Sequence, residues 1–522
     1  VTVRTLPRQH KLPEALPAPA EPVVIGKDII ELFSTAMYID PLTLYREYVQ
    51  NAADAIDAAC QAGLLSNRSD GRIEIHVDPV RREARFRDNG IGVPAESAVR
   101  VLTAFGASAK RGQGARGFRG IGRLAALGFC QALTFRTKAA GDTRSIELRW
   151  DCRQLRDLLR DPEFSGTLDD IIHRVVTVAA RPVEDASEHY FEVQMERVVR
   201  LRGDMLLNED ALARYLSQVA PVPFSPEFVF AGEIEQYLAE HLPSGHFDIR
   251  VGKMEQGLTR PFRNQLHVTQ TKLDSYVELQ RVRIDDPDLG TVAVGWILHH
   301  NYLGAIAAER EVRGLRARIG DIQVGGPDVF LEIFRESRFN NWVVGEIHVL
   351  DPRVVPNGRR DAFEQGPAAT ALTLNLVPLA RDLTERTRDS SMRRVREKVF
   401  DSSRARAEDI LALLESGLVT GDAAGALARD LDQSLDAMTK VAESDLFAPE
   451  HQARMHSRVA ELRERRHQLP AHPTGAHQLA RVPDSEREAY GRVFALVFEC
   501  MGDSAAARRL VERIAERLAD QH

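Results

Sequence analysis

The chain is poor in the residues that would announce a metal or disulfide protein. Its four cysteines, Cys60, Cys130, Cys152 and Cys500, lie far apart in 522 residues. They have no metal-ligand spacing and suggest no disulfide framework, which fits a reducing compartment. The sixteen histidines form no HExxH and no other ligand spacing. No apolar run approaches the ~18 residues of a membrane span. Residues 1–22 lack the continuous apolar segment of a signal peptide. A basic excess is missing too: the net charge is −7, so no global positive field advertises nucleic acid, although scattered arginines leave room for a local patch. GxxxxGK[ST] is absent, which excludes a P-loop. These absences lead to the expectation of a cytoplasmic protein outside any membrane.

What is present is length and ordinary globular composition, 43% apolar and 28% charged. At roughly 150 residues per domain the chain holds about three. Prolines at 7, 13, 17, 19 and 22 mark residues 1–22 as an extended arm. Residues 23–205 read as a first α+β domain. Helical segments, one of them at 28–33, precede period-two strands at 72–77, 82–87 and 131–149. A second mixed region, 206–385, has strand signals at 292–298, 314–326 and 343–349. From 386 to 522 strand signals vanish. Ile410, Leu413 and Leu414, then Leu431, Leu435 and Met438, then Leu510, Ile514 and Leu518 follow helical spacing, and Ser504 is placed to N-cap the last helix. A break is expected at 470–475, and the region reads as a helical bundle for association.

Three segments carry chemistry. Residues 44–59 read as a helix, LYREYVQNAADAIDAA, with Tyr45, Val49, Ala52, Ile56 and Ala59 on a core face. Glu47, Asn51 and Asp54 recur at i, i+4 and i+7 on another face, which is either solvated or a wall of a polar site. The second segment is Asp88-Asn-Gly-Ile-Gly-Val-Pro at the end of a strand. It is either a plain turn or a loop whose glycines let a flat ligand approach, with Asp88 accepting from an amino group. The third, residues 103–122, has glycines at 106, 112, 114, 117, 120 and 122 among Lys110, Arg111, Arg116 and Arg119. It runs into an apolar stretch, 121–129, that looks like a helix start, and a glycine-rich loop before a helix N-terminus suits an anion.

ExxxNxxDA (47–55), DNGIG (88–92) and GFRGIG (117–122), in that order, resemble the GHKL superfamily: Hsp90, DNA gyrase B, MutL-type and MORC proteins, and histidine kinases. EYVQNAADAIDA is most similar to the Hsp90 form. Pro356-Asn-Gly-Arg-Arg-Asp is similar to the Hsp90 middle-domain motif Pro-Leu-Asn-x-Ser-Arg-Glu, but lacks the residue between Pro and Asn, so Arg359 and Arg360 compete for one role. GFRG is closer to the MutL lid, and residues 386–522 do not visibly resemble the Hsp90 dimerisation domain.

The resemblance implies a Bergerat-type ATP-binding α/β sandwich, a transducer-like middle domain and a helical C-terminal region. It implies ATP and Mg²⁺, with Asn51 ligating the metal and Glu47 as the catalytic base. Asp54, Ala55, Asp88, Gly90, Gly92, Val93, Gly117, Phe118, Gly120 and Gly122 would line the nucleotide, and Arg360 or Arg359 would meet the γ-phosphate. The implied function is a dimeric, Hsp90-like chaperone ATPase acting on protein clients. The alternatives are a MutL- or MORC-like clamp on DNA, which the acidic balance disfavours, and a nucleotide-gated module of a bacterial defence assembly.

Overall fold

The computed structural model describes residues 40–104, 122–200, 203–243, 245–469, 479 and 482–521. The first sheet has seven strands in the order β5-β4-β3-β6-β2-β1-β7. They are β1 (Arg72–Asp78), β2 (Glu83–Asp88), β3 (Ala132–Lys138), β4 (Arg144–Asp151), β5 (Val176–Pro182), β6 (Tyr190–Glu196) and β7 (Asp248–Val251). Period-two alternation sends Ile73, Ile75, Phe86, Leu133, Phe135, Leu148, Trp150, Val193 and Met195 into a single core. Helix α1 (Thr43–Gln61) contributes its apolar stripe, Tyr45, Val49, Ala52, Ile56 and Ala59, to that core. The Tyr45 hydroxyl is satisfied at depth by donating to the Leu206 carbonyl at 2.7 Å. Alternate residues of the same strands are charged and cross-paired. The Glu192 carboxylate, for instance, accepts from Arg85 and Arg136.

The sheet does not end with the expected first domain at residue 205. Its seventh strand, β7, comes from residues 248–251 and pairs with β1 in parallel. Four residues are too few to show a period, so the strand was hidden in the sequence. Between β2 and β6 lie α2 (Ala95–Thr103), a 3₁₀ helix (Gly122–Gly128), α3 (Cys152–Arg160) and α4 (Leu168–Val175). Asp151 caps α3 by accepting from the amides of Arg153 and Gln154, and Thr167 and Asp170 form a capping box on α4. The 3₁₀ helix stands where the apolar run suggested an α-helix. Folding brings Cys130 and Cys152 together, both buried and both free thiols, with sulfurs 3.9 Å apart.

After α5 (Glu209–Val219) and α6 (Ala231–Ala239) comes a six-stranded sheet in the order β12-β11-β13-β10-β9-β8. Its strands are β8 (Gln265–His267), β9 (Leu273–Asp286), β10 (Gly290–His300), β11 (Gly314–Ile319), β12 (Ile322–Val324) and β13 (Val344–Val349). Both faces are covered. Leu372, Leu376 and Leu383 of the helix α7 (Pro367–Glu415) pack on one face, and Phe224, Phe228 and Phe262 pack on the other. Helix α7 runs through the expected boundary at 385 into the helical region. There it joins α8 (Gly421–Ala442), α9 (Pro449–His467), α10 (Asp484–Cys500) and α11 (Ser504–Gln521) around Ile410, Leu431, Met438, Phe494 and Val511. Ser504 is the first residue of α11, not its cap. Its hydroxyl donates to Asp409, and Asp503 takes the capping position by accepting from the Ala506 amide. The helix expected at 28–33 and the break at 470–475 lie outside the described residues.

A buried ionic cluster ties the second sheet to the chain that leads into it. Glu346 on β13 faces Arg318 on β11 at 2.9 Å and Arg260 at 2.5 Å, all three within 2% of full burial. Arg318 also donates to the Gln218 carbonyl near the end of α5, and Arg260 to the Val222 carbonyl. Burial pushes Arg318 down to about 10, which still leaves it charged at neutral pH. Burial alone would raise the Glu346 carboxyl, but Arg260 and Arg318 override it and hold it well below the usual carboxylate range. Stability from this group is therefore complete above the ordinary glutamate range and is lost as pH falls through the depressed folded value. Glu346→Gln leaves two guanidiniums buried without their carboxylate. It should cost about 3–5 kcal/mol, seen as a lower urea midpoint by tryptophan fluorescence, with a smaller loss on acidification than in the parent chain.

Candidate functional site

Burying one stripe of α1 against the sheet fixes where its other residues point. Glu47, Asn51 and Asp54 are half-buried rather than solvated. Asp88, the last residue of β2, is almost fully buried, and its Oδ1 accepts from the Gly90 amide at 2.9 Å. The Ile91 amide donates to the Ala55 carbonyl at 3.0 Å, tying the loop after β2 directly to α1.

The two loop glycines have a packing reason that the sequence did not reveal. A Cβ on Gly90 would stand 2.5 Å from the Ala55 Cβ. Gly92 has φ +71°, and a Cβ there would stand 2.0 Å from the Lys138 carbonyl oxygen. The close approach at Gly92 is thus to the end of β3. Val93 donates its amide to the Thr137 hydroxyl at 2.8 Å, and His189 meets the Gly90 carbonyl at 2.9 Å. Asn89 is structural: it accepts from the Arg72 amide and donates to the Asp70 carbonyl.

Gly122 lies against the carboxylate of Glu47, where a Cβ would come within 2.4 Å of Oε2. Gly117, Phe118 and Gly120, with Lys110, Arg111, Arg116 and Arg119, lie outside the described residues.

The other face of Glu47 meets the second sheet's C-terminal loop. Arg360 Nε lies 3.3 Å from Glu47 Oε1, with both side chains largely buried. The Arg359 side chain is exposed. Arg360 has φ +56°, a left-handed conformation costly for a non-glycine residue. Hydrogen bonds hold it there. Its amide donates to the Asn357 carbonyl and its carbonyl accepts from the Gly325 amide, while Asn357 and Asp361 bond each other through side chain and backbone.

Arg46, one residue before Glu47, went unnoticed in the sequence. It is 4% exposed, and its guanidinium donates to the carbonyls of Arg360 at 3.3 Å and Arg359 at 3.0 Å. It also stands 3.7 Å from Glu47. One carboxylate is therefore flanked by two guanidiniums, one of them delivered by a separate sheet. A half-buried carboxylate so placed can orient a water or accept its proton, and a cation beside it can stabilise developing negative charge. Among the described residues no group of three His, Cys, Asp or Glu could hold a metal, so a metal here would rest on Asn51 and on its ligand's own oxygens. No described helix is long and apolar enough to cross a membrane. An open depression of about 500 Å³ lies on the charged face of the first sheet, around Arg85, Arg87 and Arg136. Those guanidiniums are already paired with Glu188 and Glu192, and the depression is not lined by Glu47, Asn51 or Asp88.

Comparison with known proteins falls on this domain. Residues 45–161 match the family described as histidine kinase-, DNA gyrase B-, and HSP90-like ATPase. The chain is 25% identical over 195 residues to the chaperone protein HtpG of Cupriavidus metallidurans, covering 34% of this chain and 30% of that one. It is 29% identical over 149 residues to the HtpG of Streptomyces coelicolor, covering 25% and 23%. The chain thus spans under a third of the length of these relatives. It carries an ATPase domain of the Hsp90-like GHKL superfamily, with the mixed α/β fold that the motifs implied.

Arg46→Ala removes two charge-assisted hydrogen bonds from the loop at 357–361. Amide exchange in that loop should speed up by about ten- to a hundredfold, while the protected amides of β10 and β13 stay unchanged. Equal exchange in both chains would deny Arg46 its part in docking the loop.

Proposed function

We propose that this site binds ATP with Mg²⁺ and hydrolyses it slowly, and that the nucleotide drives lid closure and rearrangement of a homodimer acting as a cytoplasmic chaperone on protein clients. The observation that carries the reading is the meeting of Glu47, on α1, with Arg360, from the second sheet's loop. A base and a cation brought together from two domains suit a phosphoryl transfer that waits on assembly. The names of the HtpG relatives support the chaperone role.

In this reading Glu47 orients the attacking water and takes its proton. Asn51 holds Mg²⁺, which neutralises phosphate charge when bound. Asp88 accepts from the adenine amino group. Asp54, Ala55, Gly90, Gly92 and Val93 surround the base, and Gly117, Phe118, Gly120 and Gly122 close over the phosphates. Arg360, rather than the exposed Arg359, meets the transferring phosphoryl group. Arginines in that role are worth about 10³–10⁵ in rate in GTPases. Turnover is slow because a loop from a separate sheet must be seated before the group is complete.

Calorimetry and an ATPase assay on two variants test this. Glu47→Ala should keep ATP affinity and lose turnover by about 10²–10⁴; parental turnover would remove Glu47 from the reaction. Asp88→Asn keeps an acceptor for the Gly90 amide but replaces the second oxygen with a donor. It should weaken ATP by at least about tenfold, and unchanged affinity would take Asp88 out of the adenine pocket.

A further inference from the structure

Arg123 follows Gly122, whose backbone lies against the Glu47 carboxylate. The Tyr48 hydroxyl, one residue beyond Glu47 on α1, donates to the Arg123 carbonyl at 3.2 Å. The backbone of Arg123 is thus fixed at the rim of the site by the helix that carries Glu47 and Asn51. Its side chain is half-buried. Nη2 donates to the Ala104 carbonyl at 2.9 Å, and Nε is buried with no partner. No carboxylate pairs with it among the described residues, and residues 105–121 contain neither Asp nor Glu.

Several other deeply placed arginines face carboxylates, whereas Arg316 bonds only the side-chain oxygens of Gln218 and Gln323. Arg360 has Glu47, Arg260 and Arg318 have Glu346, and Arg68 has Asp57 and Asp321. Arg123 has one neutral carbonyl. Burial lowers its pKa, but a guanidinium stays protonated at neutral pH. A desolvated cation without a counter-charge is destabilising unless an anion joins it.

We propose that Arg123 is a phosphate-binding residue of this site, and that its guanidinium supplies the counter-charge for the polyphosphate of the bound nucleotide. The inference rests on the nucleotide reading above and adds a ligand contact to it. Arg123 is a determinant of affinity for the phosphates and not for the nucleoside: the guanidinium edge not committed to Ala104 offers donors to phosphate oxygens. Ala104 ends α2, so the same guanidinium joins the exit of that helix to the start of the 3₁₀ helix.

The test is calorimetric titration of the parent chain, Arg123→Gln and Arg123→Lys with ATP, adenosine and inorganic tripolyphosphate. Glutamine keeps a neutral donor in place of the charge, and the adenosine titration reports whether the segment keeps its fold. In Arg123→Gln, ATP and tripolyphosphate should weaken by about ten- to a hundredfold while adenosine is unchanged, and Arg123→Lys should recover most of the loss. Unchanged ATP and tripolyphosphate affinity in Arg123→Gln would overturn the proposal. So would an equal loss for adenosine, which marks a structural role. A parent chain that binds tripolyphosphate through Arg123 but neither ATP nor adenosine would uphold the phosphate contact and overturn the nucleotide reading. Binding of none of the three would overturn both.

Discussion

The carboxylate of Glu47 is where three segments far apart in the sequence touch. Helix α1 carries it, the backbone of Gly122 lies against one oxygen, and Arg360 from the second sheet approaches the other. Each contact needs the one beneath it. Glu47 points at the loop because the opposite stripe of α1 is sunk in the first core. Arg360 arrives because the loop from Asn357 to Asp361 is hydrogen-bonded into a tight, left-handed turn and because Arg46 grips its carbonyls. Removing Glu47 would leave two neighbouring guanidiniums without their shared carboxylate, so the three charges are coupled rather than additive pairs.

The attachments between the two sheets differ in kind. Arg260, Arg318 and Glu346 are buried together and bond the carbonyls at 222 and 218, so this junction is dry and cross-braced. The loop at 357–361 is held to α1 by the side chains of Arg46 and Glu47 at an edge that is only partly covered. Segments with few buried contacts open at lower free energy than braced cores. The loop is therefore the element of this junction suited to leaving and returning while the braced contact persists.

Local patterns were legible in the sequence and distant ones were not. The stripe of α1, the strands β1, β3, β10 and β13, and the order of the three polar motifs all sit within a few residues of their own signal. The partnership of Arg46 with Arg359 and Arg360 spans more than three hundred residues, and an arginine beside a motif looks like any solvated cation. Strand β7 was too short to show a period, and its pairing depends on β1, far upstream. The DNGIG segment by itself reads either as a plain turn or as a loop that a flat ligand approaches. The immediate demand on its glycines comes from Ala55 and Lys138, which only folding brings near. The loss of strand signals places a boundary at 385, but α7 starts at Pro367 and runs on through it, because sheet contacts and bundle contacts fall on one continuous helix.

That continuity has a mechanical meaning. At 49 residues, α7 is about 73 Å long at 1.5 Å per residue. Leu372 to Leu383 bed its first part on the second sheet, and from Phe400 onward it belongs to the helical core. It behaves as a lever with its short arm clamped near the 357–361 loop. A tilt of about 10° at the sheet would carry the far end, roughly 48 Å beyond Leu383, through about 8 Å. An ångström-scale change in how the loop seats on α1 would thereby reach the last helices as a displacement large enough to remake a surface, with no need for any segment in between to unfold.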